Sequence, residues 1–361
     1  MKNQLRRVRT WLQTFRMRQR IQITSRATGV QVSYGHHHIP KPGEQAWGGI
    51  VKFQHLLPYY PNSPGIFNVL CLVSSRPPKG AHLIAKTAQK KGAKLVWNQN
   101  GVAYPAVQPD WKARNAPMTK LFHMADHVFY QSEFCRQCAH KYLGERTGQG
   151  EVLYNAVDTS TFVPTTAPQD GLTLLLGGTQ YQYYRFETAL KTLLQVKEKY
   201  PDARLLVTGA LSWHPDPREA THQANHLISQ TGLSDSVELY GPYTQQEAPS
   251  LFQRAHMLLH TKYNDPCPGL VVEAMACGLP VVYSDSGGVP ELVGNQAGVG
   301  IPAELNWEQD LPPAPEQLAQ AVLEIASNRT QYAEAARQRA VEKFDIKYWI
   351  KRYREVFEAL I

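Results

Sequence analysis

Short apolar runs alternate with helical patterns along the first half of the chain, and this alternation constrains the fold more than any other sequence feature. The apolar, β-rich runs cover residues 30–34, 67–73, 94–98 and 127–131, and the helical patterns cover residues 49–57, 81–91, 111–124 and 133–143. Strands that alternate with helices pair in parallel through right-handed crossovers. The sequence therefore predicts an α/β domain built on a parallel sheet, of the Rossmann-like type.

A second alternation begins near residue 172. Its strands are predicted at residues 172–176, 203–208, 237–240, 257–260 and 280–284, and its helices at residues 185–199, 245–254 and 268–277. Residues 165–171 between the two halves have few core-forming side chains, so we interpret them as a linker. A chain of 361 residues also exceeds what one compact core usually holds. We therefore predict two Rossmann-like domains, at residues 21–164 and 172–343.

The last residues, 344–361, carry an apolar stripe at helical spacing that includes Trp349, Tyr353 and Phe357. A stripe of this kind has to pack on another element. We expect a C-terminal helix that crosses back to the first domain.

Positive charge is concentrated at the start of the chain. Residues 1–20 contain seven lysines and arginines and no acid, so they carry +7 of the net charge of +8. Leu5, Val8, Leu12 and Phe15 fall at helical spacing, which is typical of a basic amphipathic helix that lies on anionic lipid. A disordered basic extension is the alternative. Because residues 21–361 together carry only +1, a nucleic-acid partner is not expected.

The compartment is predicted from apolar stretches and cysteines. No apolar run approaches the roughly 18 to 20 residues of a membrane span, and no signal-peptide core stands at the N-terminus. Five scattered cysteines do not make a disulfide framework in a chain of this size. We expect a cytoplasmic protein, or one peripheral on the inner face of the membrane, with reduced thiols.

The helix predicted at residues 268–277 contains one polar side chain, Glu273, among apolar neighbours. Pro268 suits the first turn of this helix and Gly278 suits its C-terminal cap. An ionised carboxylate buried without partners costs several kcal/mol or becomes neutral. Glu273 is therefore expected to meet a partner, either a buried ion pair or backbone amide, or ligand hydroxyls.

Four segments resemble the retaining nucleotide-sugar glycosyltransferases of family 4. They are Asp265 to Glu291 with its "EAMACGLPVV" and "GGVPELV" stretches, "NAVDTSTFVP" at residues 155–164, "VELYGPY" at residues 237–243, and "WGGI" at residues 47–50. The resemblance implies the GT-B fold, in which two Rossmann-like domains face each other. It covers the chain from about residue 30 onwards.

The resemblance also implies roles for individual residues. Glu273 would hold the donor ribose hydroxyls. Asp265 would contact the transferred sugar or stabilise positive charge at the anomeric carbon of that sugar. The alternative for Asp265 is that it only caps the helix. The amides of Gly269 and Leu270 would meet the diphosphate at a helix N-terminus. The remaining implied contacts are Gly241 and Tyr243 at the nucleobase and Gly48 and Gly49 at the phosphates or the sugar.

Three positions depart from the family pattern. Asp265 stands where most relatives have Glu, which changes reach and not charge. Gly178 occupies the position of an expected arginine, so Arg185 is the remaining local candidate for a phosphate clamp, with help expected from other cations. Asn100 replaces a histidine, and because an amide cannot accept a proton at neutral pH, Asn100 can orient the sugar or acceptor but cannot act as a general base.

We predict a transferase that moves a sugar from a nucleoside diphosphate to a hydroxyl acceptor and keeps the anomeric configuration. No metal or other cofactor is expected. Its partners would be the nucleotide sugar, a glycan or lipid-linked acceptor, and an anionic membrane surface met by residues 1–20. The alternatives are a noncatalytic module that binds a sugar nucleotide or glycan, and a GT-B epimerase or phosphorylase.

Overall fold

The computed structural model describes residues 12, 14–16, 18, 19, 21, 29–41, 44, 48–165 and 171–361. The chain forms two compact units. Unit 1 comprises Met1–Tyr154 and Lys347–Ile361, and unit 2 comprises Asn155–Ile346. The predicted extension at residues 1–20 and the predicted linker at residues 165–171 lie mostly outside the described residues.

Unit 1 contains a five-stranded sheet in the order β1-β2-β3-β4-β5, and all its neighbouring strands pair in parallel. The strands are β1 (Val32–Ser33), β2 (Val69–Val73), β3 (Lys94–Gln99), β4 (His127–Tyr130) and β5 (Gln149–Val152). The helices are α1 (Ile50–Leu56), α2 (Ala81–Lys90), α3 (Trp111–Met124) and α4 (Glu133–Leu143). All five residues of β2 are buried, as in a parallel sheet covered on both faces.

The C-terminal helix α12 (Ile346–Leu360) returns to unit 1, apart from its first residue. Its apolar stripe is buried, and Tyr353 accepts a hydrogen bond at its hydroxyl from Asn98 Nδ2 at 3.0 Å. Arg352 donates two hydrogen bonds to the Glu151 carboxylate, at 2.8 and 2.9 Å. These contacts attach α12 to the centre and the edge of the first sheet.

Unit 2 contains a six-stranded parallel sheet in the order β11-β10-β9-β6-β7-β8. The strands are β6 (Thr173–Leu176), β7 (Arg204–Thr208), β8 (Val237–Gly241), β9 (Met257–His260), β10 (Val281–Asp285) and β11 (Gly298–Pro302). The helices are α5 (Tyr183–Lys199), α6 (Pro217–Gln230), α7 (Ala248–Phe252), α8 (Gly269–Ala276), α9 (Val289–Val293), α10 (Pro315–Ser327) and α11 (Arg329–Phe344).

The order of the second sheet reverses at the pair formed by β6 and β9. From β6 the chain builds β7 and β8 on one side, and it then returns to place β9, β10 and β11 on the other side. Loops that follow two such strands diverge and leave a crevice at the carboxyl edge, where open α/β sheets bind ligands. The topology therefore indicates a ligand site near the ends of β6 and β9.

The predicted class is confirmed, because both units are parallel-sheet α/β structures of the Rossmann-like type. All five cysteines are described and none is in a disulfide. Within the described part of the chain, no helix is long and apolar enough to cross a membrane, and no group of three or more metal-ligating side chains is placed to hold a metal ion.

Candidate active site

Asp265 lies in the crevice, in the segment that follows β9. It is buried, and its Oδ2 lies 3.2 Å from Lys262 Nζ and 3.3 Å from His260 Nε2. Burial alone would raise the pKa of this carboxyl, but Lys262, His260 and Arg185 together hold it well below its usual range. Asp265 is therefore an anion fixed in a poorly solvated position, able to stabilise a developing positive charge.

The turn after β10 holds the backbone of Asp265. Gly288 donates its amide proton to the Asp265 carbonyl at 2.8 Å, and Gly287 has a left-handed φ of 69°. A Cβ at Gly287 would lie 2.5 Å from the same carbonyl oxygen, so only glycine allows this approach. The two glycines of the "GGVPELV" stretch, which follow the neighbouring strand β10, thus fix the backbone of Asp265.

Asn264 is the only residue other than glycine in the described part with a positive φ, at 49°. The backbone amide of Asn264 donates to Ser286 Oγ at 2.9 Å, and its side-chain Nδ2 donates to the Asn306 carbonyl at 3.1 Å. Asparagine tolerates the left-handed conformation better than most residues. Two bonds from outside the segment therefore fix the backbone conformation that leads into Asp265.

Helix α8 begins beside the crevice, directly after the Asp265 segment. Pro268 at its N-cap has extended backbone and no side-chain cap, so the first amides of the helix, at Gly269 and Leu270, have no partner within the helix. A Cβ at Gly177, in the loop after β6, would lie 2.8 Å from the Leu270 side chain. The two candidate phosphate-binding residues and the glycine loop are thus brought together at the switch point.

The glycine loop itself requires an unusual backbone. Gly178 has a φ of 79°, and a Cβ on Gly209, after β7, would lie 2.3 Å from the Gly178 carbonyl oxygen. The ends of β6 and β7 therefore approach each other as bare backbone. A ligand can lie close to such a loop without meeting side chains.

Glu273 lies on the second turn of α8, half-buried, where its Oε1 accepts a hydrogen bond from Gln245 Nε2 at 3.1 Å. Burial raises the pKa of this carboxyl despite that bond. The nearby Tyr243 has a raised pKa, through burial and the negative charge of Glu273. The predicted Glu273, Gly241 and Tyr243 thus belong to neighbouring elements, with Gly241 at the end of β8 and open space where its Cβ would be.

Arg185 differs in its surroundings from an open phosphate clamp. Its side chain is buried and its Nη1 donates to the Thr179 carbonyl at 3.1 Å, while its Nε has no hydrogen-bond partner among the described residues. Burial lowers its pKa, yet a guanidinium remains charged at neutral pH. Lys262, whose side chain is 29% exposed, is a more accessible cation at this place.

A second group lies in unit 1, at the carboxyl ends of β2 and β3. Ser75 Oγ accepts hydrogen bonds from the Gly49 amide at 3.3 Å and from Asn100 Nδ2 at 2.8 Å. The Asn100 Oδ1 atom is buried and has no hydrogen-bond partner among the described residues. A Cβ at Gly49 would lie 2.6 Å from Ser75 Oγ, and Gly48 has a φ of 55°. The predicted Gly49 and Asn100 are therefore joined through Ser75 into one small polar group, and Gly48 directly precedes Gly49.

Sequence reasoning did not select His260, Lys262, Asn264 or Ser286. His260 and Lys262 lie outside the motif segments, Asn264 directly precedes the Asp265 to Glu291 segment and Ser286 lies within it. The structure brings all four to the loops after β9 and β10, around Asp265. The usable signal was position, because polar residues directly after a buried strand lie at the carboxyl edge of a parallel sheet.

Comparison with known proteins gives the family. Residues 160–342, just over half of the chain, match the sequence profile of the family described as Glycosyl transferases group 1. The chain belongs to this family. The prediction of a glycosyltransferase is thus confirmed at the level of the family, while family 4 and the retaining mechanism stay predictions.

Two curated glycosyltransferases illustrate the sequence similarity. The chain is 24% identical over 176 residues to the phosphatidylinositol N-acetylglucosaminyltransferase gpi3 subunit of Schizosaccharomyces pombe, covering 48% of this chain and 37% of the relative. It is 30% identical over 152 residues to a D-inositol 3-phosphate glycosyltransferase of Mycobacterium sp. strain KMS, covering 40% of this chain and 33% of the relative. The matches therefore span about a third of the length of each curated relative.

Two solved structures share the fold. Sucrose-phosphate synthase from Thermosynechococcus elongatus has a TM-score of 0.65 at 17% identity, over 85% of this chain and 77% of that one. Anabaena HepE, solved with UDP-glucose, has a TM-score of 0.65 at 17% identity, over 81% of this chain and 79% of that one. At this identity the likeness shows the fold alone.

Proposed function

We propose that this glycosyltransferase moves a sugar from a nucleoside diphosphate donor to a hydroxyl acceptor with retention of the anomeric configuration. The observation that carries the proposal is the junction of β6 and β9. There the bare backbone of Gly177 and Gly178, the amides that open α8, and the buried anion of Asp265 all meet at one crevice.

The diphosphate is assigned to the start of α8. The amides of Gly269 and Leu270 and the partial positive charge of the helix end favour an anion there. Lys262 and Arg185 supply full positive charges close to Asp265. Charge on the leaving diphosphate grows during transfer, and fixed cations and amides stabilise it.

The nucleoside is assigned to Glu273 and the end of β8. A carboxylate in an apolar helix can accept hydrogen bonds from two ribose hydroxyls, which would offset the burial that raises its pKa. Gly241 leaves open space at the end of β8, and Tyr243 offers a ring beside Glu273. This arrangement fits a base and a ribose better than a bare phosphate.

The transfer step requires no general base from the protein. The bond from the anomeric carbon to the diphosphate oxygen breaks as the acceptor oxygen bonds to that carbon on the same face. The proton of the acceptor hydroxyl passes to the departing phosphate oxygen. Asp265 stabilises the positive charge at the anomeric carbon. In unit 1, the unpartnered Oδ1 of Asn100 can accept a hydrogen bond from a hydroxyl group, but it cannot take a proton at neutral pH.

The acceptor is proposed as a polyol or a glycan, including a lipid-linked one. The two relatives described above are named for phosphatidylinositol and inositol 3-phosphate, so inositol phosphates are the first acceptors to test. Attachment to anionic lipid through residues 1–20 remains a prediction, because that segment lies mostly outside the described residues.

The experiment incubates the purified full chain with radiolabelled nucleoside diphosphate sugars and with inositol phosphates or glycans. We expect labelled product, with an anomeric configuration by NMR that matches the donor. Donor binding without transfer or hydrolysis would instead favour a noncatalytic binding module. A product of inverted configuration would contradict the retaining mechanism.

A further inference from the structure

The net charge of the chain is the sum of two units whose formal charges have opposite signs. Unit 1 has 26 lysines and arginines and eight acids, which gives a formal charge of +18. Unit 2 has 12 lysines and arginines and 22 acids, which gives a formal charge of −10. Residues 1–109 contain 16 lysines and arginines and a single acid, Glu44. The near neutrality of residues 21–361 is therefore a cancellation, and the basic character extends well beyond residues 1–20.

Part of this charge is built into the fold of unit 1 by two adjacent helical segments. Residues 12, 14–16, 18 and 19 are helical, and we call them the N-terminal helical segment. Thr14 donates to the Lys79 carbonyl at 3.4 Å, and Arg18 Nε donates to Thr87 Oγ1 at 2.9 Å. The segment therefore lies along α2 in the same direction, and it is anchored again where Lys91 Nζ donates to the Ile21 carbonyl.

The helix α2 has a clear division between its faces. Ala81, Ile84, Ala85 and Ala88 are buried, whereas Leu83, Lys86 and Lys90, at spacings of three and four residues, are exposed. The side chains of Lys86 and Lys90 make no hydrogen bond or ion pair with any other described residue. These lysines are held on a rigid element with their charges uncompensated.

Apolar side chains are exposed on the same pair of segments. Leu12 and Phe15 are each 41% exposed and Leu83 is 37% exposed. We name the following set the basic surface: Phe15, Arg16, Arg18, Leu83, Lys86 and Lys90, all exposed.

We infer that the basic surface of unit 1 binds the surface of an anionic lipid bilayer. Cations on it meet lipid phosphates, and Leu83 and Phe15 enter the boundary between headgroups and acyl chains. A soluble polyanion would use the cations but would gain little from exposed aliphatic and aromatic side chains. The acidic unit 2 is repelled by the same bilayer, which favours contact through unit 1.

The inference concerns where the enzyme works and is independent of its donor chemistry. It is tested by sedimentation of the full chain with vesicles, without donor or acceptor. We expect binding to vesicles that contain phosphatidylglycerol and little binding to phosphatidylcholine alone. Absence of this difference would overturn the inference while leaving the proposed transfer reaction intact.

The decisive variant is Lys86→Gln with Lys90→Gln. Each lysine at a membrane surface contributes about fivefold to partitioning at low salt, so the pair should lower partitioning about 30-fold. The matched control is Lys112→Gln with Lys120→Gln on α3, two exposed lysines whose loss changes the charge of unit 1 equally. We expect the control to change partitioning by about twofold or less. Equal losses in both would show that overall charge, and not the basic surface, attracts the protein.

Leu83→Ser separates a bilayer from a soluble polyanion. We expect it to lower vesicle partitioning about threefold at high salt as well as at low salt, because apolar insertion is not screened. Unchanged vesicle binding by Leu83→Ser, together with displacement of the protein from vesicles by RNA or heparin, would assign the surface to a polyanion and overturn the inference.

Discussion

The crevice of unit 2 and the polar group of unit 1 differ in how they are built. In unit 2 a buried carboxylate is surrounded by Lys262, His260 and Arg185, and its backbone is fixed by Asn264 and a glycine turn. In unit 1 the group of Gly49, Ser75 and Asn100 is held by neutral hydrogen bonds alone. Charged side chains are concentrated in unit 2, where the donor is proposed to bind. Neutral hydrogen-bonding groups are concentrated in unit 1, where a sugar or acceptor hydroxyl is proposed to bind.

This difference implies that the two groups contribute to the reaction in different ways. Fixed charges stabilise the charges that develop during transfer, so losing one should slow the reaction itself. Neutral hydrogen bonds mainly orient, and each contributes less. Substitutions in unit 2 should therefore lower kcat or donor affinity strongly, and substitutions in unit 1 should have smaller effects.

The largest effect is expected from Asp265→Asn. It removes the anion that stabilises positive charge at the anomeric carbon, and we expect kcat to fall about 100- to 1,000-fold. Donor affinity should change much less, as measured by titration calorimetry. Asp202→Asn, at an exposed aspartate before β7, is the matched control and should leave kcat unchanged. A loss of only a few fold in Asp265→Asn would contradict the charge-based role of unit 2.

Glu273→Gln should weaken donor binding about 10- to 100-fold, because hydrogen bonds to a charged acceptor are replaced by weaker ones. The same substitution reports on stability without donor. Burial raises the pKa of Glu273 in the folded protein. The contribution of this carboxyl to folding stability is therefore fully present below the ordinary carboxyl pKa, and it is lost as the pH rises through the raised pKa.

Thermal unfolding across this pH range should therefore show a loss of stability in the wild-type protein that is reduced in Glu273→Gln. Glu198→Gln, at an exposed position on α5, should behave as the wild type. Identical pH profiles for Glu273→Gln and wild type would show that the carboxyl is not perturbed as described.

Asn264 should act as a positioning residue. Asn264→Ala places a residue that disfavours the left-handed backbone before Asp265 and removes the bond to the Asn306 carbonyl, so we expect kcat to fall about tenfold. Asn264→Gly keeps the backbone conformation and should recover most of the loss, with KM for the donor nearly unchanged in both. If alanine and glycine behave alike, the backbone is not what positions Asp265.

The smallest effect is expected in unit 1. Asn100→Ala removes one neutral acceptor and the bond from Nδ2 to Ser75 Oγ, and we expect kcat/KM to fall about two- to tenfold. Donor affinity should stay constant in calorimetry. A fall as large as that of Asp265→Asn would erase the distinction between the two groups.

The sequence predicted several elements with strong periodicity and missed others, among them the amphipathic helix α10, which was not selected. The predicted helix at residues 81–91 is α2, Ala81–Lys90, and the predicted strand at residues 67–73 is β2, Val69–Val73. By contrast, β11 was missed because "GVGIP" has two glycines; a Cβ at Gly298 would lie 2.0 Å from the Val281 carbonyl oxygen. Helix α11, "RTQYAEAARQRAVEKF", was missed because alanines supply most of its buried face.

The candidate site was predictable where residues share a motif. Asp265, Gly269, Leu270 and Glu273 belong to one continuous stretch, and the structure places that stretch at the switch point of the second sheet. Residues brought in from elsewhere were not predictable. Arg185 was predicted as a local candidate for a phosphate clamp, and its burial with Nη1 on the Thr179 carbonyl depends on how the loop after β6 folds, which the sequence does not show.

The most direct test of the central claim is an experimental structure of the full chain with a bound nucleoside diphosphate. We predict the diphosphate oxygens within hydrogen-bond distance of the Gly269 and Leu270 amides, and the ribose hydroxyls on the Glu273 carboxylate. A nucleotide bound away from the ends of β6 and β9, with Glu273 still bonded only to Gln245, would contradict the account.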